Sequence, residues 1–109
     1  MTVQQIAERL SLTPISACDT DRKVEGVFVG DLLSWVMGRA RSENAWITIM
    51  SNVNIVAVAA LVDVACVILA EGVTLDPAVQ ERAQQKGINV YSSAMNAYQL
   101  AIAMAELLK

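Results

Sequence analysis

The sequence predicts an α/β fold, a single domain in which helices flank a mostly parallel β-sheet. Ala65 to Ala70 is a continuous apolar run, which is typical of a parallel strand covered on both faces. Ala45 to Met50 is rich in β-branched and aromatic residues and predicts a neighbouring strand. Two parallel strands need a crossover of about a dozen residues, usually a helix. Asn54 to Val62 lies between them and is therefore predicted to be a buried helix.

Residues 1–11 are predicted to form an N-terminal helix that leads into the domain. Its apolar residues share one face at helical spacing: Val3, Ile6, Ala7 and Leu10. Thr2 followed by Gln5 matches a capping box, in which each residue bonds the backbone of the other. Pro14 ends the helical pattern because proline has no N–H to donate.

Two strands and a helix are predicted next. Residues 15–18 form a short edge strand, and Val24 to Val29 form a second strand that ends at Gly30. Asp31 is placed to cap the following helix. The apolar stripe of that helix comprises Leu32, Trp35, Val36 and Met37.

The second half of the chain alternates helix and strand. Asp76 and Pro77 begin a helix that Gly87 ends. INVYSS, residues 88–93, is the last strand, and the segment 96–109 is the last helix. With no linker or repeat, the whole chain 1–109 is predicted to be one domain.

The composition excludes several classes of function. A net charge of -3 argues against a nucleic-acid surface, which needs basic patches. The chain has no histidine and therefore lacks the commonest general base and neutral metal ligand.

Cys18 and Cys66 match no zinc or redox spacing, and we interpret both as structural. Asp19 and Asp21 fit a solvated turn better than a magnesium site. We expect no metal and no cofactor.

The sequence also argues against a membrane location. The N-terminus lacks the basic start and apolar core of a signal peptide. The uncharged run from Asn44 to Val62 approaches the length of a membrane span, but Ser51, Asn52 and Asn54 interrupt it. We therefore expect a cytoplasmic protein that binds neither membrane nor nucleic acid.

Polar residues follow the predicted strands at the edge of the sheet where ligands of parallel sheets bind. The candidate ligand-binding residues at this edge are Gly30, Asp31, Ser51, Asn52, Asn54, Ser92, Ser93 and Asn96. Helix starts at these positions offer free N–H groups to a phosphate or carboxylate. Ordinary capping by Ser and Asn is the alternative, and no glycine-rich phosphate loop is present.

The last helix is apolar around most of its circumference, with polar residues on one narrow stripe. A surface helix normally carries an apolar face of only a little over 100°. This helix is therefore expected to pack against the sheet and against a second copy of the chain. The candidate interface residues are Tyr98, Leu100, Ile102, Met104, Leu107 and Leu108.

Several stretches of the sequence, spread over residues 15 to 100, resemble the DRTGG domain family. They are Asp21-Arg22 leading to Gly26-Val27 and Val29-Gly30-Asp31, the helix NIVAVAAL, the strand and turn VILAEG, and the helix end KGINVY. The resemblance implies an α/β fold like that of the N-terminal domain of HPr kinase/phosphorylase. It also implies an accessory module that mediates self-association. The letters that name the family would align on residues 52–56, where none matches, so no binding role is carried over from them.

These observations leave three functions to distinguish. The leading one is a non-catalytic regulatory or protein-interaction module that acts as a homodimer, with another protein of the same pathway as a further partner. The alternative is a sensor that binds an anionic metabolite or nucleotide at the carboxyl edge of the sheet. An enzyme is disfavoured because any nucleophile would be Cys18 or a serine with no histidine to activate it.

Overall fold

Five strands form one sheet in the order β1-β5-β4-β3-β2 in the computed structural model, which describes residues 1–109. The elements in chain order are α1 (Val3–Arg9), β1 (Thr13–Ser16), β2 (Gly26–Val29), α2 (Leu33–Arg39), β3 (Asn44–Thr48), α3 (Asn54–Val62), β4 (Cys66–Leu69), α4 (Pro77–Gln85), β5 (Val90–Ser92) and α5 (Ala97–Leu107). Strands β2 to β5 are parallel, and β1 is antiparallel to β5. The predicted fold class is confirmed.

The middle of the sheet is fully buried, as its composition predicted. All four residues of β4 are buried, which explains why this strand is a continuous apolar run. Trp46 of β3 pairs with Phe28 of β2 and Val67 of β4. Its indole Nε1 donates a hydrogen bond to the Gly30 carbonyl at 2.9 Å, so this large side chain is buried with its polar atom satisfied.

The sheet separates two hydrophobic cores. One core lies under α1 and α5 and contains Val3, Ile6, Leu100 and Met104 from these helices. The other lies under α2, α3 and α4 and contains Val36, Ile55, Val56, Ala59 and Ala83. Consequently α5 and the pair α3 and α4 occupy opposite faces of the sheet.

The predicted helix starts are confirmed at α1, α3, α4 and α5, but the residue predicted to cap α2 is wrong. Helices α1 and α5 begin with complete capping boxes, at Thr2 with Gln5 and at Asn96 with Gln99. Helix α4 has Pro77 at its first position. Asp31 does not cap α2, whose N-cap is Leu32 without any side-chain bond. The Asp31 carboxylate instead accepts hydrogen bonds from Thr48 Oγ1 and Ile49 N at the end of β3. These donors need a partner because the strand pairing ends there.

Helix α2 buries less of its apolar stripe than the sequence predicted. Only Val36 of its residues is buried, whereas Leu32, Trp35 and Met37 are large apolar side chains left exposed. Because α2 is a short helix beside α3 at the β2 side of the sheet, only one of its faces meets the core.

The two edge strands of the sheet are short. Strand β1 contains Pro14, and its pairing with β5 shifts register between Pro14 and Ser16. Strand β2 at the opposite edge pairs with β3 over four residues. Each edge therefore has only a short row of backbone N–H and C=O groups that could pair with a strand of another chain.

Candidate functional site

The carboxyl ends of β2 to β5 meet at one edge of the sheet, as predicted. Gly30 N donates to Ile47 O at 3.1 Å, and Ser93 N donates to Leu69 O at 2.9 Å. These bonds place the residues that follow each strand beside those of the next strand. The structure thus brings the candidate residues from β2, β3 and β5 to one edge, although their side chains differ in what they contact.

Asp31 links the ends of β2 and β3. One of its carboxylate oxygens accepts from Thr48 Oγ1 at 2.7 Å and from Ile49 N at 2.9 Å. Thr48 Oγ1 also accepts from Met50 N at 3.2 Å, and Thr48 is buried. This carboxylate therefore stabilises the turn after β3, and its negative charge makes the adjacent surface less suited to an anion.

The stretch Ser51 to Asn54 leads into α3, whose N-cap is Val53 and has no side-chain capping bond. Asn52 Oδ1 accepts from Asn54 N at 2.9 Å, which satisfies a backbone N–H at the start of α3. The side chains of Ser51 and Asn54 are exposed and make no hydrogen bond within the chain. Asn52 thus bonds the first turn of α3 from the position before the N-cap, whereas the side chains of Ser51 and Asn54 have no partner within the chain.

The polar residues after β5 are engaged in the fold. Ser92 Oγ donates to Val73 O at 2.7 Å, and Ser93 Oγ accepts from Met95 N at 3.1 Å. Asn96 Oδ1 accepts from Gln99 N at 2.9 Å in its capping box. Ser92 and Ser93 are also buried, so these side chains order the loop that enters α5.

A tight turn after β4 completes this edge. Glu71 and Gly72 both have left-handed backbone conformations, with φ of 61° and 72°. Their N–H groups donate to Met95 O at 2.8 Å and to Ser93 O at 2.7 Å, which joins the loop after β4 to the loop after β5. Gly72 adopts this conformation without the steric cost that a Cβ imposes on Glu71.

The opposite, amino edge of the sheet contains an ion-pair network that the sequence analysis missed. Arg22 Nη2 lies 2.8 Å from Glu43 Oε1, and Arg22 Nη1 lies 2.8 Å from Asp63 Oδ1. Burial opposes the charge of this guanidinium, but its hydrogen bonds to Glu43 and Asp63 prevail and raise the pKa of Arg22. The Asp21-Arg22 pair quoted for the family resemblance was the only signal in the sequence.

Asn89 is a second group at the amino edge that the sequence analysis did not identify. The residue is 3% exposed, and its Oδ1 accepts from the N–H groups of Cys18 and Asp19, both at 2.9 Å. Its Nδ2 donates to Asp19 O at 2.7 Å and to Ala65 O at 3.0 Å. One amide side chain thus ties the turn after β1 to the start of β4.

The two cysteines lie in different environments. Cys66 is buried in the core under α1 and α5, and burial raises the pKa of its thiol to about 12. It is therefore a neutral, inert thiol near pH 7. Cys18 is exposed, and its Sγ lies 3.3 Å from Ser16 Oγ. Nowhere do three or more Cys, Asp or Glu side chains gather as a metal site would require.

The candidate interface residues on and directly after α5 fall into three groups according to how exposed they are. Leu100 and Met104 are fully buried against the sheet, so their assignment to an oligomer interface is wrong. Leu107 and Leu108 are half-buried at the margin of the same core. Tyr98 and Ile102 are 74% and 48% exposed and remain available to a partner.

None of the five helices combines the length and the apolar character that crossing a bilayer requires. The predicted cytoplasmic location is not tested by this finding and stays a prediction.

The chain is thus an α/β domain with one five-stranded, mostly parallel sheet flanked by helices. The chain belongs to the DRTGG domain family, which matches residues 5–107. The resemblance found in the sequence is thereby confirmed. DRTGG is a family of regulatory rather than catalytic domains, so the prediction of a non-catalytic module is also confirmed.

One solved structure extends this comparison to three dimensions. It contains the CBS and DRTGG domains of the regulatory region of Clostridium perfringens pyrophosphatase, complexed with the activator diadenosine tetraphosphate. The two structures share 15% sequence identity and a TM-score of 0.73, and at this identity the likeness shows a common fold. The comparison covers 93% of this chain and 44% of that one. No curated protein matches this sequence.

Proposed function

We propose that this regulatory domain acts as a homodimer and that it associates through an exposed apolar surface around α5. Four large apolar side chains form this surface, which we call the α5 surface: Val29, Ile49, Tyr98 and Ile102. Each is between 48% and 74% exposed, and this exposure is the observation that supports the proposal. Contiguous apolar patches on a protein surface often mark sites of association.

The α5 surface is continuous with the core beneath the helix. Helix α5 packs against β2 and β3. Val27 of β2 packs against this core, and side chains alternate along a strand, so Val29 points to the same face. Tyr98 and Ile102 are one helical turn apart and share one side of α5. A partner helix laid beside α5 would contact Tyr98 and Ile102.

The charge distribution also suits pairing of identical copies. In a two-fold dimer the same patch meets itself, so a charge close to the two-fold axis faces the same charge on the partner. The chain has no charged residue between Gly87 and Ala105, a segment that includes almost all of α5. A stable interface buries about 800 Å² per partner, and apolar side chains on α5 and β2 contribute to this area without electrostatic repulsion.

The oligomeric state provides the test. We expect size-exclusion chromatography with light scattering to give the mass of two chains at micromolar concentration. Tyr98→Glu with Ile102→Glu should yield monomers, because association would bury two carboxylates per chain. Leu61→Glu is the matched control, since Leu61 is 71% exposed on α3 at the opposite face. A monomeric wild type, or equal dissociation by Leu61→Glu, would contradict the proposal.

A ligand sensor is the second candidate function. The related pyrophosphatase region was complexed with a nucleotide activator, and Ser51 and Asn54 offer unengaged polar side chains at the carboxyl edge. A thermal-shift screen with nucleotides, sugar phosphates and carboxylates tests it. A ligand present at about a hundred times its Kd stabilises by about 2.7 kcal/mol. Asn54→Asp should abolish the shift through charge repulsion, and an unchanged shift would exclude the site.

A further inference from the structure

A long, open groove lies between α3 and α4, on the face of the sheet opposite α5. Its volume is about 560 Å³. The residues that line it are Val53, Asn54, Val56, Ala57, Ala60, Leu61, Arg82 and Lys86. Among these only Val56 is buried. The groove is therefore a surface feature along two helices that pack against each other, rather than an enclosed cavity.

One side of the groove is an apolar face of α3. Val53, Ala57 and Leu61 follow one another at intervals of about one helical turn. Val53 is 50% exposed and Leu61 is 71% exposed. The small side chain of Ala57 between them leaves room for a partner to approach the helix backbone. Because α3 contains no charged residue, this side offers apolar contact and the uncharged amide of Asn54.

The other side of the groove carries two positive charges, Arg82 on α4 and Lys86 directly after this helix. Arg82 and Lys86 are four residues apart, so they project from the same face of the helix. Neither takes part in any ion pair of the chain. Like charges at this spacing repel each other, and the uncharged α3 offers them no counter-charge. The groove thus combines an apolar wall with an unneutralised basic wall.

We propose that this α3–α4 groove binds an acidic amphipathic helix of a partner protein. Small-molecule sites enclose most of the ligand surface, which a groove with seven exposed lining residues does not do. A groove between two helices suits a third helix, whose apolar residues at i, i+4 and i+7 lie along it. In this arrangement the apolar residues pack on Val53, Ala57 and Leu61. Acidic residues on the adjacent flank pair with Arg82 and Lys86.

A second copy of this chain does not provide such a helix. Helices α1, α4 and α5 contain one acidic residue each, and α2 and α3 contain none. The partner is therefore a different acidic protein. Since α5 and the groove lie on opposite faces, binding in the groove is independent of the proposed homodimer.

Fluorescence anisotropy with a designed peptide tests this proposal. The probe is a fluorescein-labelled helical peptide with leucines at i, i+4 and i+7 and glutamates along one flank. We expect saturable binding with a Kd in the micromolar range. Arg82→Glu with Lys86→Glu should weaken binding at least tenfold, and replacing the peptide's glutamates by lysines should restore binding to this variant.

The matched control is Arg9→Glu with Lys23→Glu, which makes the same change in net charge at exposed residues outside the groove. We expect it to bind the acidic peptide like the wild type. Equal weakening by both pairs would show general electrostatic attraction and overturn the proposal. So would unchanged binding by the groove variant, or no saturation by the wild type at about 1 mM peptide. Thermal melting of each variant verifies that it is folded.

Discussion

The two edges of the sheet are stabilised in different ways. At the amino edge, side-chain bonds join residues far apart in the chain, such as Arg22 with Asp63 and Asn89 with Asp19. At the carboxyl edge, many side-chain bonds join near neighbours, such as Asn52 with Asn54 and Asn96 with Gln99. Loss of one of these long-range bonds at the amino edge should therefore destabilise the domain more than loss of a bond between near neighbours at the carboxyl edge.

Asn89→Ala, at the amino edge, should lower the free energy of unfolding more than any other substitution proposed for the two edges. The substitution removes four hydrogen bonds and leaves backbone groups of Cys18, Asp19 and the buried Ala65 without that partner. We expect the free energy of unfolding to fall by about 3 kcal/mol. Chemical denaturation measures it. Asn54→Ala is the control at the carboxyl edge and should change stability by less than about 0.5 kcal/mol, and equal losses would contradict the contrast.

Arg22→Gln, also at the amino edge, should cause the next largest loss of stability. The Arg22 side chain is 18% exposed, and it contacts Glu43 and Asp63 at once. We expect a loss of about 2 kcal/mol, less than for a fully buried pair because solvent screens the network. Arg22→Lys keeps the charge but lacks the planar guanidinium that bonds both carboxylates. It should therefore be more stable than Arg22→Gln and less stable than the wild type. Urea denaturation of both variants measures it, and full recovery by lysine would show that charge alone matters.

Asn96→Ala should have the smallest effect of the three. It removes one capping bond at the start of α5, at the carboxyl edge. We expect a loss of about 1 kcal/mol. Asn96→Ser retains a capping oxygen and should restore most of it. Thermal unfolding measures the loss of stability. If Asn96→Ala lost as much stability as Asn89→Ala, the proposed difference between the two edges would be wrong.

Local patterns in the sequence predicted most of the fold. A continuous apolar run predicted β4, and β-branched and aromatic residues predicted β3. The need for a parallel crossover identified α3 with the bounds found in the structure, Asn54–Val62. Capping signals located the starts of α1, α4 and α5. These predictions succeeded because each depends on residues that are close together in the chain.

Features that depend on distant residues were not predicted. The contacts of Arg22 and Asn89 exist only once the sheet has formed, and no local pattern indicates them. Helix α5 carries two apolar stripes, and the sequence does not show which one faces the sheet. The structure places Leu100 and Met104 inside and Tyr98 outside. Asp31 was expected to cap a helix, but the backbone of a neighbouring strand competes for its carboxylate.

The short edge strands restrict how copies of this domain can meet. Adding a strand from another chain requires a regular row of free N–H and C=O groups. Pro14 has no N–H to offer, and the register shift after it interrupts the row on β1. Strand β2 provides only four residues at the other edge. These features protect an apolar sheet from edge-to-edge aggregation, and they leave the helix-covered faces as the surfaces for specific recognition.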